Sequence, residues 1–438
     1  MYTTASPLDV LVRSGLVLTA LMLCAPASAQ DIKPLNFDSN FTVRVLKNGA
    51  IITPSSSNPQ VSAGGVRAHT NVHIFQHNSM PTTKAVRANS GPPVAGYFYE
   101  TPASLACVYN LAAQISGCNP NVVSTVPIGG SRAIAIVDAY HAPNALADLT
   151  AFSRQFGLPL PTASTFQVVY SQSNGTPTTR APAYDSGWEV EISLDIQWAH
   201  AMAPNAKIIL VEAASSSLAD LLGAERLAGQ LVAAAGGGQV TNSWGANEFP
   251  QETSFDNYFA INGVVYFAST GDNPGTEWPS VSQNVVAVGG TSVSRNPVTG
   301  VFEGEAAWDN GGGGQSLYVA RPAYQSPVAS VIGGTMRGVP DVAAIANPNT
   351  GVWVYDFNAG GWIVVGGTSV ASPVVAGITN NAGHFSVSTV AELTRLYTQT
   401  NRFFDVTRGV CGPYAGYFAQ SGWDFCTGIG SPAVKGEM

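Results

Sequence analysis

The sequence predicts an α/β protein with a doubly wound, mostly parallel sheet and helices on both faces. Three observations carry this expectation. The apolar runs AIAIVDAY (133–140), AKIILVEA (206–213) and GVVYFAST (263–270) are continuous rather than alternating, as strands covered on both faces require. Helix-like stretches, NALADLTAFSRQFGL (144–158) and SLADLLGAERLAGQL (217–231), separate them, and strand–helix alternation builds parallel sheets. With 438 residues, 45% of them hydrophobic, the chain can bury one large core.

The first thirty residues carry Arg13, then an apolar stretch from Gly15 to Cys24, then Ala27-Ser28-Ala29 before Gln30. That is the layout of a cleavable secretory signal over residues 1–29, so the mature chain is expected to be exported. Residues 30–100 hold TPSSSNPQVSAGG and NSGPPVAG, and read as a leader or short pro-like segment of strands and loops. The main domain is expected over 101–438, with FQVVYSQ, QVTNSW, NVVAVGG and GWIVVGG as further strands. No later stretch reaches 18 unbroken apolar residues, so no membrane span is expected in the mature form, and a monomer is expected.

Charged residues make up 11% of the chain and the net charge is −8, with no basic patch, which disfavours a nucleic-acid partner. Once carboxylates are protonated, only 19 Lys and Arg and 6 His carry charge, so self-repulsion in acid is modest. Beyond the signal, Cys107, Cys118, Cys411 and Cys426 form an even set suited to disulfides in an exported protein. Loop closure over short separations favours Cys107 with Cys118 and Cys411 with Cys426.

The chemistry centres on three stretches. A helix at about 187–203, within SGWEVEISLDIQWAHAMAP, carries Glu191 and Asp195 four apart and therefore on one face. Its apolar neighbours predict burial, and a buried acid pair must share protons or meet a partner. Ser186-Gly187-Trp188-Glu189 fits a capping box, which gives Glu189 a structural task. Asp272 follows an apolar strand in ASTGD, at the strand end where such sheets gather their sites. Ser369 stands in GGTSVASPVVAG, where a strand meets a helix N-terminus that favours a developing anion.

Together these stretches resemble the sedolisins, the serine-carboxyl peptidases with a subtilisin-like fold. GTSVASP matches the nucleophile motif, EISLD (191–195) the E-x-x-x-D helix and ASTGD (268–272) the oxyanion turn. VTNSWGANE, AVGGTSV, RGVPDVAA and GWDFCTGIGSP follow in the family's order, and the likeness runs from about Thr101 to Pro432. The resemblance implies hydrolysis of peptide bonds in protein or peptide substrates at acid pH. It implies Ser369 as nucleophile, Glu191 as general base and then acid, Asp195 as its orienting partner, and Asp272 as oxyanion donor. An aspartate donates to an oxyanion only while protonated, which explains an acidic optimum.

The resemblance also implies one structural Ca²⁺, held by the carboxylates of Asp405 and Asp424 and the carbonyls of Val406, Gln420 and Gly422. Such an all-oxygen set suits a hard cation. It further implies a large folded propeptide, yet only residues 30–100 lie between the signal and the peptidase domain. Two other readings stand beside it. One is a subtilisin-type hydrolase using Asp138 with His141 or His200, although no HGT segment occurs. The other is a non-catalytic secreted binding protein that retains the fold, which predicts disruption of the acids or the serine.

Overall fold

The computed structural model describes residues 9–10, 41–59, 61–62, 65–80, 91–411 and 417–433. Apart from residues 9–10, the expected signal segment lies outside them. The elements that build the site begin with strands β1 (Thr42–Leu46), β2 (Gly49–Thr53), β3 (His69–Thr70) and β4 (His73–His77), then helix α1 (Pro102–Val108). There follow β5 (Ala133–Ala139), α2 (Ala145–Phe156), β6 (Phe166–Ser171), α3 (Ser186–Met202), β7 (Lys207–Ala213) and α4 (Leu218–Ala234). Next come β8 (Gly238–Asn242), β9 (Trp244–Asn247), β10 (Val264–Ser269), β11 (Val286–Arg295) and β12 (Phe302–Ala307). The series ends with β13 (Val342–Ile345), β14 (Val352–Asp356), β15 (Gly361–Gly366) and α5 (Thr368–Ala382).

The main sheet runs β6-β7-β5-β8-β10-β11-β12, parallel from β6 to β11 and antiparallel at β12, with β13 also pairing β11 in parallel. The chain steps from β5 out to β6 and back to β7 on one side, then from β8 to β10 and β11 on the other. That reversal between β5 and β8 makes a topological switch point, where crevices form at the carboxyl ends of strands. The expected doubly wound architecture is therefore present.

Strand β5 shows why its sequence is apolar throughout. Ala133, Ala135 and Val137 pack with Leu221, Leu222 and Leu227 of α4 on one face. Ile134 and Ile136 pack with Ile192, Ile196 and Ala199 of α3 on the other. Burial on both faces removes the alternation of a one-sided strand. Helix α3 is buried at every position after Ser186, and its opposite side packs through Val190, Leu194 and Trp198 against Val370 and Val374 of α5.

A second, antiparallel sheet runs β1-β2-β4-β15-β14. The strand-and-loop segment before residue 100 thus contributes three strands that pair with the hairpin leading into Ser369. Both expected disulfides are present, Cys107–Cys118 and Cys411–Cys426.

The capping box expected at Ser186 and Glu189 is not formed. The helix starts one residue earlier than that box requires, and Asp185 is its N-cap, accepting from the N–H groups of Gly187 and Trp188 at 3.0 Å each. Glu189 instead accepts from the Tyr184 hydroxyl at 2.7 Å and the Asn358 amide at 2.8 Å, tying α3 to the β14–β15 turn.

Candidate active site

Strand β15 ends at Gly366 and α5 starts at Thr368, so Gly367 must make the whole turn, at φ 115°. A side chain at this position would put its Cβ 2.0 Å from the Asn71 carbonyl oxygen and 2.6 Å from Asp272 Oδ2. Glycine is therefore required by backbone conformation and by space alike. The turn leaves Ser369 in the first turn of α5, where its hydroxyl lies 2.9 Å from Glu191 Oε2 and 3.1 Å from the Ser243 carbonyl oxygen.

Glu191 reaches Ser369 because α3 packs along α5. One turn further along α3, Asp195 Oδ1 accepts from the Ser243 hydroxyl at 2.7 Å. Ser243 follows β8, on the other side of the switch point from β5. Asp138, the penultimate residue of β5, completes a group of three fully buried carboxyls. Glu191 is pushed well above the usual carboxylate range by burial first, then by Asp195 and Asp138, while the Ser369 bond opposes the rise. Asp195 is raised by burial against the pull of Ser243, and Asp138 by burial and by Asp195 and Glu212. The group shares protons, and its apparent pKa values belong to the set.

Asp272 stands beyond β10 on a turn that faces α5. Its Oδ1 accepts from the Thr368 N–H at 2.7 Å and the Thr368 hydroxyl at 2.8 Å. These bonds commit Oδ1 as an acceptor and leave Oδ2 as the oxygen on the Gly367 side. The four residues expected from the sequence thus converge on one crevice at the carboxyl ends of the strands.

The crevice also holds a run of the chain that the sequence gave no reason to place there. Residues 67–73 cross it in extended form. Ala68 N–H donates to the Ser216 carbonyl at 2.9 Å, and His69 and Thr70 pair antiparallel with Gly245 and Trp244 of β9. Asn71 N–H reaches the Ser243 carbonyl at 3.4 Å and the Ser369 hydroxyl at 3.2 Å, while Ser369 N–H donates to the Asn71 carbonyl at 3.1 Å. Its side-chain amide donates to Ser269 Oγ at 3.0 Å and Glu277 Oε2 at 3.3 Å. His73 then places Nε2 3.2 Å from Asp272 Oδ2 and enters β4.

Neither histidine of the subtilisin-type alternative serves Ser369. His141 Nδ1 lies 2.7 Å from Glu212 Oε2, and His200 Nε2 lies 2.9 Å from the Pro159 carbonyl oxygen. Burial lowers the pKa of His200 below its ordinary value. Among the described residues, the titratable side chain hydrogen-bonded to the Ser369 hydroxyl is Glu191. Sequence reasoning missed Ser243, Glu277 and Asn71. Ser243 stood in the quoted VTNSWGANE stretch, but nothing local to Glu277 or Asn71 signals a site.

Near the C-terminus, the loop 420–424 wraps around two carboxylates. Asp405 Oδ2 accepts from the Gly422 N–H at 3.0 Å, and Asp424 Oδ2 accepts from the Gln420 N–H at 2.9 Å. Val406 is buried beside them. Asp424 is pushed up to about 6 by burial although several backbone amides donate to it. Two carboxylates beside backbone oxygens are donors of a kind suited to a hard cation. Elsewhere, Asp148, Glu189 and Asp356 form a buried group with ligand oxygens all within 4.8 Å of one another, an arrangement that could hold a metal ion.

No family model matches the chain. It is 29% identical over 381 residues to kumamolisin from Bacillus sp. (strain MN-32), covering 79% of this chain and 63% of that one. It is 32% identical over 178 residues to sedolisin from Pseudomonas sp. (strain 101), covering 37% of this chain and 29% of that one. A further relative at 26% identity, over 70% of this chain and 53% of its own length, is tripeptidyl-peptidase 1 of Dictyostelium discoideum. The chain therefore spans less than two thirds of the length of these relatives. In fold it is similar to a solved structure of Pseudomonas sedolisin, a serine-carboxyl proteinase complexed with two molecules of pseudo-iodotyrostatin. That match has a TM-score of 0.61 at 23% identity, over 76% of this chain and 95% of that one. The chain is thus similar to the sedolisins in sequence and shares the fold of the solved sedolisin structure, with its three motifs gathered in one crevice.

Proposed function

We propose that the protein is a serine-carboxyl peptidase that hydrolyses peptide bonds in proteins at acidic pH. The observation that carries this reading is the 2.9 Å contact between the Ser369 hydroxyl and the Glu191 carboxyl. A serine hydroxyl needs a base to become a nucleophile, and here the base is a carboxylate. Ser369 attacks the substrate carbonyl as its proton passes to Glu191 Oε2. Glu191 then returns that proton to the leaving amine, and a water molecule repeats the cycle on the acyl-enzyme. Asp195, held by Ser243, takes up the charge change on its neighbour. Asp272 Oδ2, when protonated, and the Ser369 N–H donate to the oxyanion, each such donor being worth about 2.7–4 kcal/mol.

Endopeptidase action is favoured over removal of N-terminal tripeptides by the run through the crevice. Extended chain continues past the third position before Asn71, with Ala68 still bonded to Ser216. That continuation supports a crevice that accepts substrate residues beyond the third position.

The test is digestion of a denatured protein across the pH range. Glu191→Gln should lose about 10²–10⁴-fold in kcat/KM, the usual scale of a general base, while His200→Ala stays close to wild type. A flat profile between pH 4 and pH 8, or loss only in His200→Ala, overturns the mechanism.

The same reading extends to a structural Ca²⁺ on the Asp405 and Asp424 carboxylates and the Val406, Gln420 and Gly422 carbonyls. Those residues would hold the ion, which would balance the two carboxylates and tie the 420–424 loop to Asp405. Chelator should then lower Tm in the wild type and leave an Asp405→Asn variant unmoved, and equal shifts in both would reject this ligand set. Export through the segment 1–29, followed by residues 30–100 and the peptidase domain over 101–438, completes the proposal, with the mature protein a secreted monomer.

A further inference from the structure

We infer that Asp148, Glu189 and Asp356 form a Ca²⁺ site of their own, separate from the catalytic crevice and from the C-terminal loop, and that the ion gives way to protons in acid. Asp148 lies in the first turn of α2, Glu189 in the first turn of α3, and Asp356 is the last residue of β14. The two helices pack on each other and on β14. This brings carboxyl oxygens of three buried side chains within 4.8 Å of one another. Ligands on opposite sides of a Ca²⁺ ion stand about 5 Å apart, so the three fit one coordination shell.

Three acids alone do not make a site, and two further atoms point to an ion. Glu189, Ser193 and Gln197 follow at four-residue spacing and form one stripe along α3. The Gln197 amide donates to the Tyr355 carbonyl at 2.7 Å and accepts from the Tyr355 N–H at 2.9 Å, which seats the stripe against the end of β14. Ser193 is thereby set beside Asp356, close enough to act on its carboxyl. Both residues are 0% exposed, yet neither Ser193 Oγ nor Asp356 Oδ2 makes a hydrogen bond of good geometry, while Asp356 Oδ1 accepts from the Ala359 N–H at 2.8 Å. Buried polar atoms are nearly always paired, so a carboxyl oxygen and a hydroxyl left over beside two more carboxyls are donors for a shared partner.

The partner's charge follows from the neighbours. A water molecule would satisfy the hydroxyl but leave the carboxylates facing one another. Asp356 is pushed up to about 7 by burial and then by the Glu189 charge, and Glu189 is raised by burial against its bonds to Tyr184 and Asn358. Such a group takes either protons or a cation. An all-oxygen set rich in carboxylates selects a hard one, and the flexible shell of Ca²⁺ suits side chains from three elements better than the strict octahedron of Mg²⁺. Tyr184, whose hydroxyl covers Glu189, is 49% exposed, which gives the ion a way in.

The site sits behind the catalytic pair. Glu189 precedes the base Glu191 by two residues on α3, and Asp356 pairs with Gly361 in the hairpin whose second strand runs into Ser369. An ion there braces both elements at neutral pH. In acid, protons neutralise the same carboxyls and the brace is no longer needed.

The test uses the full chain carrying Ser369→Ala, which prevents self-digestion. It is stripped of metal with chelator at pH 7.5 and titrated with CaCl₂, with bound ions counted by native mass spectrometry and Tm followed in parallel. Adding Asp405→Asn takes the C-terminal loop out of the count. In that background one Ca²⁺ should still bind at pH 7.5 and raise Tm by about 4 °C or more at saturation. Asp356→Asn should weaken this binding by about tenfold or more, and Glu189→Gln, the less buried of the two by its contact with Tyr184, should do the same if Asp356→Asn fails to fold. Between pH 7 and pH 5 the apparent affinity should fall about tenfold per unit for each proton displaced, so that at pH 5 chelator no longer moves Asp405→Asn. No ion bound to Asp405→Asn at pH 7.5, binding that survives Asp356→Asn or Glu189→Gln unweakened, or binding as tight at pH 5 as at pH 7.5 overturns this inference. None of these results depends on Ser369, so the peptidase reading is judged separately by its own digestion assay.

Discussion

At the residue scale, the pH at which the serine has a working base is set by crowding of acids. Glu191 is raised by burial and then by Asp195 and Asp138, so each unit of negative charge nearby makes its ionised form harder to reach. Replacing Asp138 by Asn removes one of these charges and keeps the shape of the side chain. The folded pKa of Glu191 should then fall, and the acidic limb of the kcat/KM profile should move to lower pH, with the alkaline limb less affected. A limb that stays in place in Asp138→Asn would show that Asp138 is neutral throughout the working range. The sequence made Asp138 visible only as the acid of a histidine triad, because its distance from Glu191 depends on the switch point and on no local pattern.

At the scale of elements, the junction of β15 and α5 does more than connect a strand to a helix. Gly367 makes the turn at φ 115° and leaves its open side as the space that both the Asn71 carbonyl and Asp272 Oδ2 border. Gly367→Ala should therefore lower Tm, and the protein that still folds, as judged by far-ultraviolet circular dichroism, should lose kcat/KM by about 10²-fold or more, the scale of a removed oxyanion donor. Near-wild-type activity would show that the substrate carbonyl sits elsewhere. This junction was legible in the sequence, as were α3 with its acid pair and the strand-end turn of Asp272, because apolar periodicity and glycine placement are local signals. The capping of α3 was misread by one residue, since Asp185 and Ser186 are both good caps and the choice between them rests on Glu189 finding Tyr184 and Asn358. The part played by β3 and β4 was not legible. Two-residue pairing with β9 and a seat beside β15 depend on partners far away in the chain.

At the scale of the whole molecule, the buried acids predict how stability responds to pH. Glu191, Asp195, Asp138, Glu225 and Asp356 are all raised by burial, Asp356 to about 7 from an ordinary 3.8. A carboxyl with a raised folded pKa binds more protons in the native state than in the unfolded state between those two values. Stability from such groups is complete below the unfolded pKa and is lost as pH rises through the folded one. For Asp356 that window runs from 3.8 to about 7. Each unit is worth about 1.4 kcal/mol, so this buried group alone changes stability by a few kcal/mol. Acid does not undo the gain through charge repulsion, because only 19 Lys and Arg and 6 His remain charged once the carboxyls are neutral. Thermal unfolding of Ser369→Ala, chosen to prevent self-digestion, should therefore show a higher Tm at pH 4.5 than at pH 8, by about 5–10 °C at the usual few degrees per kcal/mol. A Tm that is flat or rises toward pH 8 would mean that countercharges or water neutralise these sites. The acids would then be ionised in the fold, and the case for an enzyme suited to acid would rest on the active site alone.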